Sequence, residues 1–236
     1  VNAKPLVLVT GAGSGIGRAT AVLLGANGWQ VAVNGRRLDA LQETAETIER
    51  AGGCALVRQG DVGVQGFAQS LVQGLIDEVG RFDALVHCAG EVSFVPLDKA
   101  TVEDLSGFMR VHTDAALAMV STGWEALCTS TAHGGPGRVV LVSSRAAHDP
   151  FPGLGVYGMA KAALEGLVRA IHVDAQGRIE AFAVAPDCVD TPMLHGLLTK
   201  EQLEGIDMMP PQAIAKGILE RLSGSCPEDR GGVWLP

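Results

Sequence analysis

Short apolar runs alternate with longer amphipathic stretches along this chain. Residues 6–9, Leu-Val-Leu-Val, are apolar throughout, β-favouring and too few for a helix, which is the pattern of a strand buried on both faces of a parallel sheet. Ile16, Ala19, Thr20, Leu23 and Leu24 then follow at helical spacing. The alternation repeats. Strands are expected at 30–34, 54–58, 84–87, 139–142 and 179–185, with an edge strand at 232–235. Helices are expected over 38–51, 65–79, 211–222 and most of 101–130, where Gly107 is the weak point. Strands separated by helices pair in parallel through crossovers, so this order predicts a single doubly wound α/β domain of Rossmann type over residues 1–236, around a central parallel sheet of about seven strands.

The link between the first strand and its helix reads Thr10-Gly11-Ala12-Gly13-Ser14-Gly15-Ile16-Gly17. Glycines at 11, 15 and 17 remove Cβ atoms where the chain turns tightly, where a ligand approaches the backbone and where the helix seats on the sheet. Amides freed at the helix start, together with the helix dipole, favour a pyrophosphate. Gly11, Ser14, Gly15, Ile16 and Gly17 are therefore candidate contacts of a dinucleotide. The spacing is G-x-x-x-G-x-G rather than G-x-G-x-x-G, and a turn that only packs strand on helix is the competing explanation.

The end of the second strand bears on which dinucleotide. An NAD site places an acid there for the ribose 2′-OH, but no acid lies between Arg18 and Leu38, and the chain reads Val33-Asn34-Gly35-Arg36-Arg37. A guanidinium can grip a 2′-phosphate bidentately, so Arg36 and Arg37 favour NADP (NADPH); a solvated arginine pair at a helix start is the alternative. Asp61, after the third strand, is positioned to cap a helix before Val64.

Composition narrows the classes further. A net charge of -8 argues against a nucleic-acid partner, and no apolar run approaches the ~18 residues of a membrane span. With no charged N-terminal region leading into an apolar core, a soluble, cytoplasmic protein is expected. The five cysteines include no C-x-x-C pair and the six histidines no H-x-x-x-H, so neither a disulfide framework nor a metal site is expected.

Tyr157-Gly158-Met159-Ala160-Lys161 carries the sharpest chemistry. Residues four apart share one helix face, so phenol and ammonium can address one point, and a nearby cation is expected to lower the phenol pKa from its usual ~10. The glycine turn and this Y-x-x-x-K pair together resemble the short-chain dehydrogenase/reductase family, and the resemblance covers nearly the whole chain. It implies that Tyr157 exchanges a proton with a carbonyl or alcohol oxygen and that Ser144 hydrogen-bonds that oxygen, with Ser143 the poorer match. Lys161 would tune Tyr157 and bind the nicotinamide ribose, and His112 stands where the family has a catalytic asparagine. An imidazole there is expected to carry a proton relay with its own charge change near pH ~6.5.

Further cofactor contacts follow by resemblance. Asp61 and Val62 would lie against the adenine, while Ala89 and Gly90 close the His87-Cys88-Ala89-Gly90 segment, which is similar to the family's N-N-A-G with both asparagines replaced. Pro186, Val189 and Thr191 would meet the nicotinamide end, with Asp187 where the family has glycine. Residues 193–210 occupy the place of a substrate lid, and Leu194, Leu197, Leu198, Leu203, Met208 and Met209 give it an apolar face that serves either packing or a greasy substrate. The resemblance also implies a homodimer or homotetramer. The expected activity is NADPH-dependent reduction of a small-molecule carbonyl, reversible to the alcohol. An NAD-linked alcohol dehydrogenase and an NADP-binding protein with impaired turnover are the alternatives.

Overall fold

The computed structural model describes residues 4–236, apart from the side chain of His133. The first half runs β1 (Leu6–Thr10), α1 (Gly15–Ala26), β2 (Gln30–Gly35), α2 (Leu38–Arg50), β3 (Cys54–Gln59), α3 (Phe67–Val79) and β4 (Ala84–His87). The second half runs α4 (Val102–Met109), α5 (Ala115–Thr129), β5 (Gly137–Val142), α6 (Gly155–Ala175), β6 (Ile179–Val184), α7 (Pro192–Leu197), α8 (Lys200–Leu203), α9 (Pro211–Leu222) and β7 (Val233–Trp234). All seven strands are parallel, in the order β3-β2-β1-β4-β5-β6-β7. The order reverses between β1 and β4, and in such sheets ligands bind beyond the carboxyl ends of the strands at that point.

Two apolar layers hold the sheet. Alternation along β1 sends Leu6 and Leu8 to the side of α3, α5 and α6, where Leu75, Met119 and Leu164 pack. Val7 and Val9 face the side of α1, α2 and α9 with Leu24, Ile48 and Ile218. Because both faces are covered, the central strands are apolar without a polar alternation, which is what makes residues 6–9 legible as a strand. All five cysteines are free thiols, and among the described residues no helix is long and apolar enough to cross a membrane.

Two local expectations are corrected. The helical stretch 101–130 does not break at Gly107, which lies inside α4; it widens into a π turn at Arg110–Asp114, where the Val111 carbonyl accepts from His87 Nε2 at 3.2 Å. Asp61 does not cap a helix. Its Oδ1 accepts the Gly63 amide at 2.9 Å in a local turn, and α3 starts only at Phe67, after Gly66 with φ 81°.

Candidate active-site cleft

Along the carboxyl edge of the sheet runs one cleft of about 890 Å³. Gly11 to Gly17 form one part of its wall. Gly17 packs so closely on the turn that a Cβ there would come 2.3 Å from the Gly11 carbonyl oxygen, and Gly11, at φ 65°, lies against the Ala89 backbone. The Ser14 side chain does not cap α1, and the first turn of that helix holds no acid. The amide end of α1 therefore opens into the cleft unneutralised, a fit for a pyrophosphate.

Arg36 and Arg37 line the same cleft where β2 ends, both exposed. Among the described residues no carboxylate pairs with either guanidinium. Asn34, beneath them, is buried and donates through Nδ2 to the Arg58 carbonyl at 2.9 Å, fastening the ends of β2 and β3. Asp61, Val62, Ala89, Gly90, Pro186, Val189 and Thr191 all reach the cleft wall, as do Ser144, Tyr157 and Lys161.

His87, which stands where the resembling motif has an asparagine, keeps a complete hydrogen-bond chain. The Val111 carbonyl can only accept, so Nε2 carries the proton and Nδ1 accepts from the Thr10 hydroxyl at 2.9 Å; that oxygen in turn accepts the Ala89 amide at 3.1 Å. This ties the ends of β1 and β4 to the π turn. Burial, reinforced by the charge of Lys161, lowers the His87 pKa to about 4, so the ring is neutral at physiological pH.

Tyr157, Lys161 and Ser144 converge at the ends of α6 and β5. Tyr157 is 8% exposed, and burial pushes its pKa up to about 12 against a smaller lowering by its hydrogen bond with Ser144. Burial lowers Lys161 to about 7, and its Nζ donates to the Val142 carbonyl at 2.7 Å. The expected lowering of the phenol pKa by the lysine is absent from this geometry, because the ammonium is turned to the strand and sits 5.6 Å from the ring centroid.

His112 lies in the π turn, fully buried and edge-on to Tyr157 with ring centroids 5.5 Å apart. Its Nε2 donates to the Glu91 carbonyl at 2.9 Å, and Nδ1 has no hydrogen-bond partner among the described residues. Burial, then the charge of Lys161, holds its pKa well below 6.5. The expectation of a charge change near pH 6.5 is overturned on that ground.

With this geometry established, comparison with known proteins is direct. A family model described as short chain dehydrogenase matches residues 5–202. The chain belongs to the short-chain dehydrogenase family. It is 34% identical over 190 residues to a hydroxynaphthalene reductase of Aspergillus fumigatus, covering 80% of this chain and 67% of that protein. It is 30% identical over 224 residues to a glycine betaine reductase of Emericella nidulans, covering 92% of this chain but spanning only 17% of that longer protein. Among solved structures, a dehydrogenase/reductase of Sinorhizobium meliloti superposes with a TM-score of 0.86 at 28% identity, covering 98% of this chain and 92% of that one.

Members of the short-chain dehydrogenase family are oxidoreductases that bind a nicotinamide cofactor, NAD or NADP, and the uncapped α1 terminus and glycine turn of this chain fit such a group. Other residues at the cleft were not singled out in the sequence. Glu91, Phe94, Arg145 and Phe151 line it from loops or a short helical turn, where no periodic pattern marks a buried face. Asp187 is exposed at the same wall, bonded to the Cys188 thiol, while the adjoining Pro186 carbonyl accepts the Arg145 amide at 2.9 Å.

Proposed function

We propose that this short-chain dehydrogenase reduces the carbonyl of a small molecule with NADPH, reversibly to the alcohol. The observation that carries the reading is one cleft lined by Ser144, Tyr157 and Lys161 at one end and, at the other, by Arg36 and Arg37, which pair with no carboxylate among the described residues. Bound in it, the cofactor supplies the hydride. Arg36 and Arg37 hold the 2′-phosphate, and the uncapped start of α1 holds the pyrophosphate. Lys161 binds the nicotinamide ribose when it leaves the Val142 carbonyl.

Ser144 donates a hydrogen bond to the substrate oxygen and stabilises the charge that develops there. Tyr157 then delivers the proton. Its pKa of about 12 keeps the phenol protonated at neutral pH, which suits donation to a developing alkoxide better than abstraction from an alcohol. Two relatives named as reductases support the same direction. The apolar α7–α8 segment, with Leu194, Leu197 and Leu198 at the cleft, serves as its lid. Leu117, Met159 and Val173, exposed on α5 and α6, supply the face of a homo-oligomer.

The test is NADPH oxidation followed by absorbance over a panel of aldehydes, ketones and quinones, with Tyr157→Phe beside the unaltered chain. Turnover of at least one carbonyl, lowered by about 10² to 10⁴ in the variant while NADPH still binds, is the expected result. No turnover across the panel, or undiminished turnover without the phenol, overturns the proposal.

A further inference from the structure

Glu165 is a buried carboxylate, 5% exposed, that the chemistry above does not use. It lies on α6 one turn beyond Lys161, so Tyr157, Lys161 and Glu165 stand four apart on one helix face. That face meets the end of β5 residue by residue. Lys161 Nζ takes the Val142 carbonyl, Ser144 bonds Tyr157, and between them Ser143 Oγ donates to Glu165 Oε1 at 2.7 Å. A hydroxyl has one proton, and the carboxylate is nearer than the Lys161 carbonyl at 3.2 Å.

The same Oε1 accepts a second bond, from His148 Nε2 at 3.0 Å. A carboxylate held by two donors in a buried site is strongly directional, because leaving either lone pair unmet there is costly. Its two donors flank Ser144 in the chain. Ser143 precedes it, and His148 closes the short helical turn Arg145–Ala147 that follows.

We propose that Glu165 is a positioning residue: by gripping Ser143 and His148, on either side of Ser144, it holds the Ser144 hydroxyl against the Tyr157 phenol. Backbone bonds alone leave that turn short of anchors, since it is tied mainly to itself and to the Pro186 carbonyl. The Ser144 oxygen accepts the Ala146 amide at 3.2 Å, so movement of the turn carries the hydroxyl with it. The proposal rests on the roles given above to Ser144 and Tyr157, but its geometry can be read without turnover.

Tyr157 is the only tyrosine in the chain, so protein labelled with ¹³C at tyrosine Cζ gives one resonance that reports on the phenol's hydrogen bonding. Ser144→Ala sets the position of that resonance when the bond is lost. Glu165→Ala is expected to move it toward the same position, Glu165→Gln to return it close to the unaltered value because the amide oxygen still accepts, and Ser143→Ala and His148→Ala each to move it part-way. His148 is 40% exposed, so its variant keeps the fold if Glu165→Ala does not. In turnover, Glu165→Ala is expected to lower kcat about 10-fold with NADPH affinity unchanged, and to add nothing further in a Ser144→Ala background. An unmoved resonance in Glu165→Ala, or in Ser143→Ala and His148→Ala together, overturns the positioning role. Full turnover by Ser144→Ala would instead overturn the catalytic reading of Ser144 while leaving the resonance test to decide the positioning.

Discussion

Lys161 Nζ is bound to the backbone carbonyl of Val142 at 2.7 Å. The bond holds the lysine inside the protein, where burial lowers its pKa to about 7, against ~10.4 in an unfolded chain. Between those values the unfolded chain holds a proton that the folded chain has released. The contribution of Lys161 to stability should therefore rise with pH from about 7 to 10, by on the order of 4 kcal/mol in full. Lys161→Met removes that contribution. Thermal unfolding of both proteins from pH 7 to 9.5 checks it, the upper limit staying below the ionisation of an unfolded tyrosine. The unaltered chain should gain on the variant as pH rises, and parallel curves would contradict the assignment.

His87 supplies the opposite end of the pH scale. Its folded pKa of about 4 lies below the unfolded ~6.5, so acid protonates the unfolded chain first. Stability is fully present above pH 6.5 and is lost as pH falls toward 4, by roughly 3 kcal/mol. His87→Asn, which restores the residue type of the resembling motif, should flatten that loss. Urea unfolding at pH 7, 5.5 and 4.5 reads it, and an unchanged gap between the two proteins across those pH values would rule out His87 as the source.

How much of this was legible in the sequence follows from which interactions are local. Residues 6–9 read as a buried strand because both faces of β1 are covered, and Y-x-x-x-K read as a shared face because helical spacing is fixed. The π turn did not read, since its Val111 carbonyl is engaged by His87, 24 positions away. Nor did the burial of His112 and Lys161, which decides their protonation and comes from packing between α6, the π turn and β5. Asp61 showed the same limit: a side chain that can cap a helix can equally close a turn on Gly63, and the left-handed Gly66 delays the helix. Arg36 and Arg37 were legible as a pair beyond a strand, and the structure adds that no carboxylate among the described residues neutralises them.

That lack of a partner makes Arg36 the test of cofactor choice. Losing a charge-assisted contact to a 2′-phosphate costs about 1.5 to 3 kcal/mol, so Arg36→Ala should weaken NADPH binding by roughly 10- to 100-fold. NADH, which lacks the phosphate, should bind almost as before. Fluorescence titration of both cofactors against both proteins gives the comparison. Equal weakening of the two would remove the case for NADP.

The packing of His112 against Gly90 gives a prediction that separates space from charge. A Cβ on Gly90 would come 2.4 Å from His112 Cε1 and 2.9 Å from Nδ1, and the ring cannot retreat, being set edge-on to Tyr157 and tied to the Glu91 carbonyl. Gly90→Ala should therefore cost about 1 to 3 kcal/mol through overpacking, at a backbone angle that alanine tolerates. Asparagine is smaller than histidine, so His112→Asn should recover much of that loss in the double variant, a coupling that thermal unfolding of the four proteins measures. Additive losses would show that the two residues do not share the space. The charge of His112 should matter less than its size. Because burial and Lys161 keep it neutral well below pH 6.5, turnover profiles of the unaltered chain and His112→Asn should superimpose in shape from pH 6 to 8. An acid limb near pH 6.5 that disappears in His112→Asn would show instead that the imidazole takes up a proton in the working enzyme.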